Sequence, residues 1–168
     1  MEAGVQTWPC RHGWRRWRHG PNAGLGDAAA FRQAQDLANH ALDGTKPDER
    51  RHGMDYRHNR LDVTYYEGTS LVTLRQPGAA QPVLDAALAA QAPGHLKARS
   101  IVQLAVATTY VQQREVDQAC VVASQALDLP ADQRIGPITQ RAQDLLRELE
   151  PWRGRPTVED LRERVVAS

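Results

Sequence analysis

Three times along this chain an alanine is followed four, seven and eight positions later by Ala or Leu: Ala34, Ala38, Ala41, Leu42; Ala80, Leu84, Ala87, Leu88; and Ala119, Ala123, Ala126, Leu127. Those offsets trace one stripe of a helix with 3.6 residues per turn and fit no strand. An alanine stripe gives a helix a thin face, against which a second helix can pack closely. A stripe that recurs needs a partner helix at each copy, and stacked copies bury one continuous seam. The spacing therefore predicts an all-α helical repeat array. The stripes begin at 34, 80 and 119, intervals that suit repeats of about 34 residues with extended connections.

Between the stripes, punctuation residues set the element boundaries. Asp27 is a suitable N-cap for a helix over 28–43, and Gly44 follows its last apolar residue. Further helices are predicted at 54–75, 79–91, 96–112, 117–128, 135–150 and 157–166, with no strands. Gly68 interrupts the second of these at a cost of about 1 kcal/mol in helix propensity relative to alanine. Such a residue predicts that a neighbouring helix crosses close to the backbone there. Pro82 lies inside the third helix, so either regular hydrogen bonding begins only after Ala79 or the first turn bends. Thr157 and Asp160 have the spacing of a capping box, with Asp in place of Glu, for the last helix.

Three segments follow from this reading: an arm at 1–26, repeats at 27–150, and a linker with a C-terminal capping helix at 151–168. The arm holds Trp8, Trp14 and Trp17, with Arg11, Arg15, Arg16 and Arg18, and no acid between residues 3 and 26. Its glycines and Pro21 break regular structure, which predicts a poorly ordered segment. The four arginines are candidate contacts for nucleic acid or another anionic surface. The whole chain is nearly neutral, with 21 basic and 20 acidic residues, so no global charge drives it toward nucleic acid or lipid. No run of 18 apolar residues occurs, which argues against a helical membrane span. Cys10 and Cys120 are the only cysteines and suit a reducing compartment, predicting a cytoplasmic protein without a disulfide framework.

Chemistry-bearing patterns are sparse. Cys10 and His12 lie too close in sequence for a usual chelate, and His52 and His58 do not share a helical face. Asp55 and Asp62 lie seven residues apart on one face and read as exposed ion-pair partners for Arg51 or His58. No phosphate loop, dinucleotide fingerprint, zinc-protease pair or Ser-His-Asp order is present. The sequence thus predicts no enzyme, no metal and no cofactor.

The segment ARSIVQLAVATTYVQQREVDQACVVASQALDL, residues 98–129, resembles a tetratricopeptide repeat. Ala107 stands at that family's small position on the first helix, Tyr110 at its aromatic, and Ala119 and Ala126 at the paired alanines of the second. Gly68, Leu71, Ala80 and Ala87 match one unit earlier, with Leu71 replacing the aromatic. Arg114-Glu115 departs from the family's Gly-Glu turn, and Gln103 and Thr64 replace its large residue near the start of the first helix. The likeness covers about residues 27–150. It implies a superhelix in which Gly68, Ala80, Ala87, Ala107, Tyr110, Ala119 and Ala126 pack structurally.

The resemblance further implies that first helices line a concave face holding a protein, a peptide or a small ligand. The candidate contacts on that face are Asp62, Tyr65, Tyr66, Thr69, Thr108 and Gln112. More narrowly, Leu25-Gly26-Asp27 and the closing LLRELEPWRGRPTVEDLRERV are similar to the C-terminal region of actinobacterial helix-turn-helix transcriptional regulators. That likeness implies a regulatory binding scaffold lacking the DNA-binding domain. The alternatives are a truncated regulator fragment without independent activity, or weak nucleic-acid binding through the arm.

Deleting residues 1–22 should leave the helical signal per residue and the cooperative unfolding transition nearly unchanged. Limited proteolysis should cut between Arg11 and Gly26 well before any cut within 96–128. Resistance of residues 1–26 while the repeats are digested would make the arm an integral part of the array.

Overall fold

The computed structural model describes residues 28–43, 56–130 and 133–166. Among them the regular elements are seven α-helices, a short 3-10 turn and no strand. In chain order these are α1 (Ala28–Asp43), α2 (Tyr56–Thr73), α3 (Pro77–Ala90), α4 (Leu96–Gln112), α5 (Val116–Ala126), α6 (Gly136–Glu148) and α7 (Pro156–Val166), with the 3-10 turn Glu150–Trp152 between the last two. No helix among the described residues is long and apolar enough to cross a membrane. Each of α2 to α5 packs against its sequence neighbour, α6 lies on α4, α7 lies on α5, and α1 packs on α2.

The alanine stripes explain this pairing. Ala80, Leu84 and Ala87 of α3 and Ala119, Ala123 and Ala126 of α5 are wholly removed from solvent. The first pair meets the second in a cluster of Ala80, Leu84, Ala87, Val102, Ala105 and Val106. A larger cluster joins α4 and α5 to α6 and α7 through Leu104, Ala107, Ile138, Leu145, Val158 and Leu161 among others. Tyr110 and Val122 pack against both clusters and so couple them. The first stripe is described only in part. Among the described side chains of α1, Phe31 and Gln35 are buried and Ala34 is half-buried. The side chains of Ala38, Ala41 and Leu42 lie outside the described residues.

Leu84 seats itself directly on Gly68. A Cβ added to Gly68 would stand 2.5 Å from Leu84 Cδ2 and 2.6 Å from its Cγ. Close contact between α2 and α3 thus requires a residue without a side chain at this position, whatever its helix propensity.

Two turns recur with the same geometry. Arg75 follows α2 at φ 56° and Arg114 follows α4 at φ 66°, both in the left-handed region. In the first turn Arg75 N–H donates to the Val72 carbonyl at 3.0 Å and Gln76 N–H to the Leu71 carbonyl at 3.0 Å. In the second, Arg114 N–H donates to Val111 at 3.0 Å and Glu115 N–H to Tyr110 at 2.9 Å. These are two Schellman caps, separated by the same 39 positions as Ala80 and Ala119. An arginine takes the strained residue where glycine is the usual choice, since the cap satisfies carbonyls that the helix end would leave unpaired.

Two expectations need correction in detail. α3 begins at Pro77 and runs through Pro82, with the Gln76 carbonyl accepting from Ala79 N–H at 3.1 Å and Ala80 N–H at 3.0 Å. Regular bonding therefore starts before Ala79, and Pro82 sits on the exposed side of the helix. The capping box at Thr157 and Asp160 does not form. Pro156 sets the start of α7 one residue earlier, and the Arg155 carbonyl accepts from Val158 N–H at 3.0 Å and Glu159 N–H at 3.1 Å. The Thr157 hydroxyl instead donates to Asp117 Oδ1 at 2.8 Å, joining α7 to the start of α5. Arg155 reaches the other oxygen of Asp117 at 3.2 Å, and Arg164 pairs with Asp128 beyond the end of α5.

Two glycine substitutions should act in opposite directions. Gly68→Ala gains about 1 kcal/mol of helix propensity but overpacks an enclosed leucine at roughly 1–3 kcal/mol, so a net loss of stability is expected. Arg114→Gly relieves about 1–2 kcal/mol of left-handed strain against roughly 0.4–1 kcal/mol of unfolded-state entropy, so a small gain is expected. Urea midpoints measured on both variants check the pair, and Leu84→Ala should rescue part of the Gly68→Ala loss.

Candidate functional site

Helices α2, α4 and α6 alternate with α3, α5 and α7, so the candidate side chains of α2 and α4 belong to alternate helices of the array. Tyr65 is the best-defined of them. It is half-buried, and its ring stands 5.3 Å from that of Tyr66 at a 58° tilt, a geometry favoured by aromatic pairs. Its hydroxyl accepts from Arg141 Nη2 on α6 at 3.0 Å. Burial pushes the Tyr65 phenol above the ordinary tyrosine value, and the Arg141 cation and its hydrogen bond pull it back.

Arg141 also donates through Nη1 to the Pro137 carbonyl at 3.2 Å, one turn back on its own helix. A second link joins α2's exit turn to the end of α6, where Arg75 Nη1 meets Glu148 Oε2 at 2.9 Å. The third helix pair is thus tied to the first at two points, in addition to its packing on α4.

Thr69, Thr108 and Gln112 are half-buried, and their hydroxyls and amide are turned to backbone. Thr69 Oγ1 donates to the Tyr66 carbonyl at 3.1 Å, and Thr108 Oγ1 to the Leu104 carbonyl at 3.0 Å. Gln112 Nε2 spans from α4 to the Val72 carbonyl of α2 at 3.0 Å, leaving its Oε1 enclosed without a partner. Gln112 therefore ties α2 to α4. Asp62 lies within α2, but its side chain is outside the described residues, as are Arg11, Arg15, Arg16 and Arg18. Of the packing residues, Gly68 is buried, Ala80, Ala87, Ala107, Ala119 and Ala126 are fully enclosed, and Tyr110 is half-buried between the two clusters.

Arg141 and Glu148 did not emerge from the sequence reading as site residues. Ile138, Arg141, Leu145 and Glu148 follow one another at helical spacing, which places two charges along the apolar stripe of α6. A charge in that register is the available signal of a polar partner across the interface.

Cys120 is buried on α5, and burial, with the nearby Asp117 carboxylate, pushes its thiol up, which keeps it protonated and a poor nucleophile. Among the described residues no group of three His, Cys, Asp or Glu side chains is placed to hold a metal ion. No protein-family model, curated protein or solved structure matches the chain.

Replacing Arg141 by Gln should raise the Tyr65 phenol further, because both influences that lower it come from the guanidinium. Ultraviolet difference titration of the tyrosines, with Tyr65→Phe to assign the transition, checks this. An unchanged or lowered transition in Arg141→Gln would mean that the two groups do not meet in solution.

Proposed function

We propose that this protein is a non-enzymatic, tetratricopeptide-like scaffold of the cytoplasm, and that its inner face binds a peptide segment of a protein partner. The observation that carries the reading is the half-exposed Tyr65–Tyr66 pair with Arg141 held against it. Tyrosine and arginine are the side chains most enriched among residues that dominate binding energy, because they combine large apolar or planar area with polar tips. The repeated left-handed caps and alanine stripes support the repeat architecture that the family resemblance implies. Thr69 and Thr108 keep their hydroxyls on backbone carbonyls and so contribute apolar methyl surface and small volume to that face. The likeness to transcriptional regulators supports a regulatory role for the scaffold, with the bound partner supplying any contact with DNA.

Selection of a random peptide library on the full chain tests this reading. Selected peptides should lose about tenfold or more in affinity with Tyr66→Ala, on the scale of 1.4 kcal/mol per decade, and should be indifferent to Val121→Ser on the exposed side of α5. Peptides equally sensitive to both variants, or a library yielding no binder, would count against the inner face as the site.

A further inference from the structure

The contact between α1 and α2 contains a polar pair whose hydrogen bonding is half complete. Gln35 lies on the buried side of α1 with 6% of its surface exposed. Its Nε2 donates to Glu67 Oε2 on α2 at 2.9 Å, while its Oε1 is enclosed and has no hydrogen-bond partner. A carboxylate only accepts, so ionised Glu67 satisfies the amide's donor side and leaves its acceptor orphaned. A buried acceptor without a donor is costly, and so is a charge withdrawn from water.

We propose that Glu67 and Gln35 form an acid-strengthened latch that fastens α1 to α2. A proton taken from solvent by the Glu67 carboxylate becomes the donor that Gln35 Oε1 lacks. The side chains then pair as acid and amide through two hydrogen bonds, and the partly buried charge is removed.

The surroundings favour the neutral form. Burial pushes the Glu67 carboxyl above its ordinary value. Among the described side chains, the charged or titratable ones are Arg32, Asp36 and His40 on α1, Asp85 on α3, and Lys97, Arg99 and Tyr110 on α4. None of these forms an ion pair with Glu67. Asp85 accepts from Gln81, and Arg99 donates to the Leu88 and Gln91 carbonyls. A carboxyl raised in the folded state contributes stability that is complete below its unfolded value and is lost as pH rises through the folded one. Fastening of α1 therefore strengthens as pH falls from neutrality, opposite to the usual effect of acid on ion-paired carboxylates such as Glu150, which Arg162 and Arg153 hold below the ordinary value.

The test is amide hydrogen exchange on the full chain between pH 7 and pH 5, corrected for the intrinsic rate. Protection of α1 relative to α5 should rise about three- to tenfold on acidification, the scale of one hydrogen bond regained by a buried acceptor. Glu67→Gln carries the missing donor at every pH, so it should hold α1 at the high-protection level throughout and abolish the rise. Carbon-13 shifts of the Glu67 carboxyl and the Gln35 carboxamide in the unmodified protein give a second readout. Both should move with one midpoint above that of an ordinary glutamate. A fall or no change in α1 protection, a rise that persists in Glu67→Gln, or a Gln35 carboxamide that ignores the Glu67 titration would each overturn the proposal.

Discussion

The fold rests on the absence of side-chain volume where its helices meet. Leu84 occupies the space in which any larger residue at Gly68 would carry its Cβ, and the alanines of α3 and α5 are enclosed completely. Thin faces bring helix axes together, so the flanking side chains pack closely and dispersion contacts accumulate over the seam. A chain with few aromatic residues can build a core this way, because proximity replaces bulk. Tyr110 and Val122 then join the core of the first pairs to that of the last, so packing continues past each pair.

Close packing also constrains the connections. The helices of these pairs reverse within three residues, and the left-handed caps at Arg75 and Arg114 accomplish this by satisfying the exit carbonyls internally. Conformational strain at one residue is offset by hydrogen bonds that would otherwise be made to water or lost. Recurrence of the cap in step with the buried alanines gives the two pairs a common internal geometry. Arg75 serves twice, setting the turn through its backbone and reaching Glu148 through its side chain.

Polar contacts, by contrast, decide how the ends of the array attach. Arg141 and Glu148 tie α6 to α2, Asp117 and Asp128 receive Arg155 and Arg164 of α7, and Gln35 meets Glu67 between α1 and α2. The exposed ion pairs contribute little individually. The half-buried ones matter more, because groups removed from water require partners. The Tyr65–Arg141 contact lies among them and shapes the surface proposed to bind a partner.

The all-helical class, the helix positions to within a few residues, the enclosed alanines and the close approach at Gly68 were legible from the amino-acid order. All of these follow from local period and residue volume, which the chain carries at each position. Side-chain partnerships across pairs were not legible. Tyr65 and Arg141 lie 76 residues apart, and Thr157 leaves its local capping role for Asp117, 40 residues away. Nor could the alanine stripe of α1 say that Gln35 would meet Glu67 of α2, because the two lie 32 positions apart. Periodicity determined where helices form and which faces are thin. Only the tertiary structure decided which polar groups lose water together, because that depends on elements distant in sequence arriving at one place.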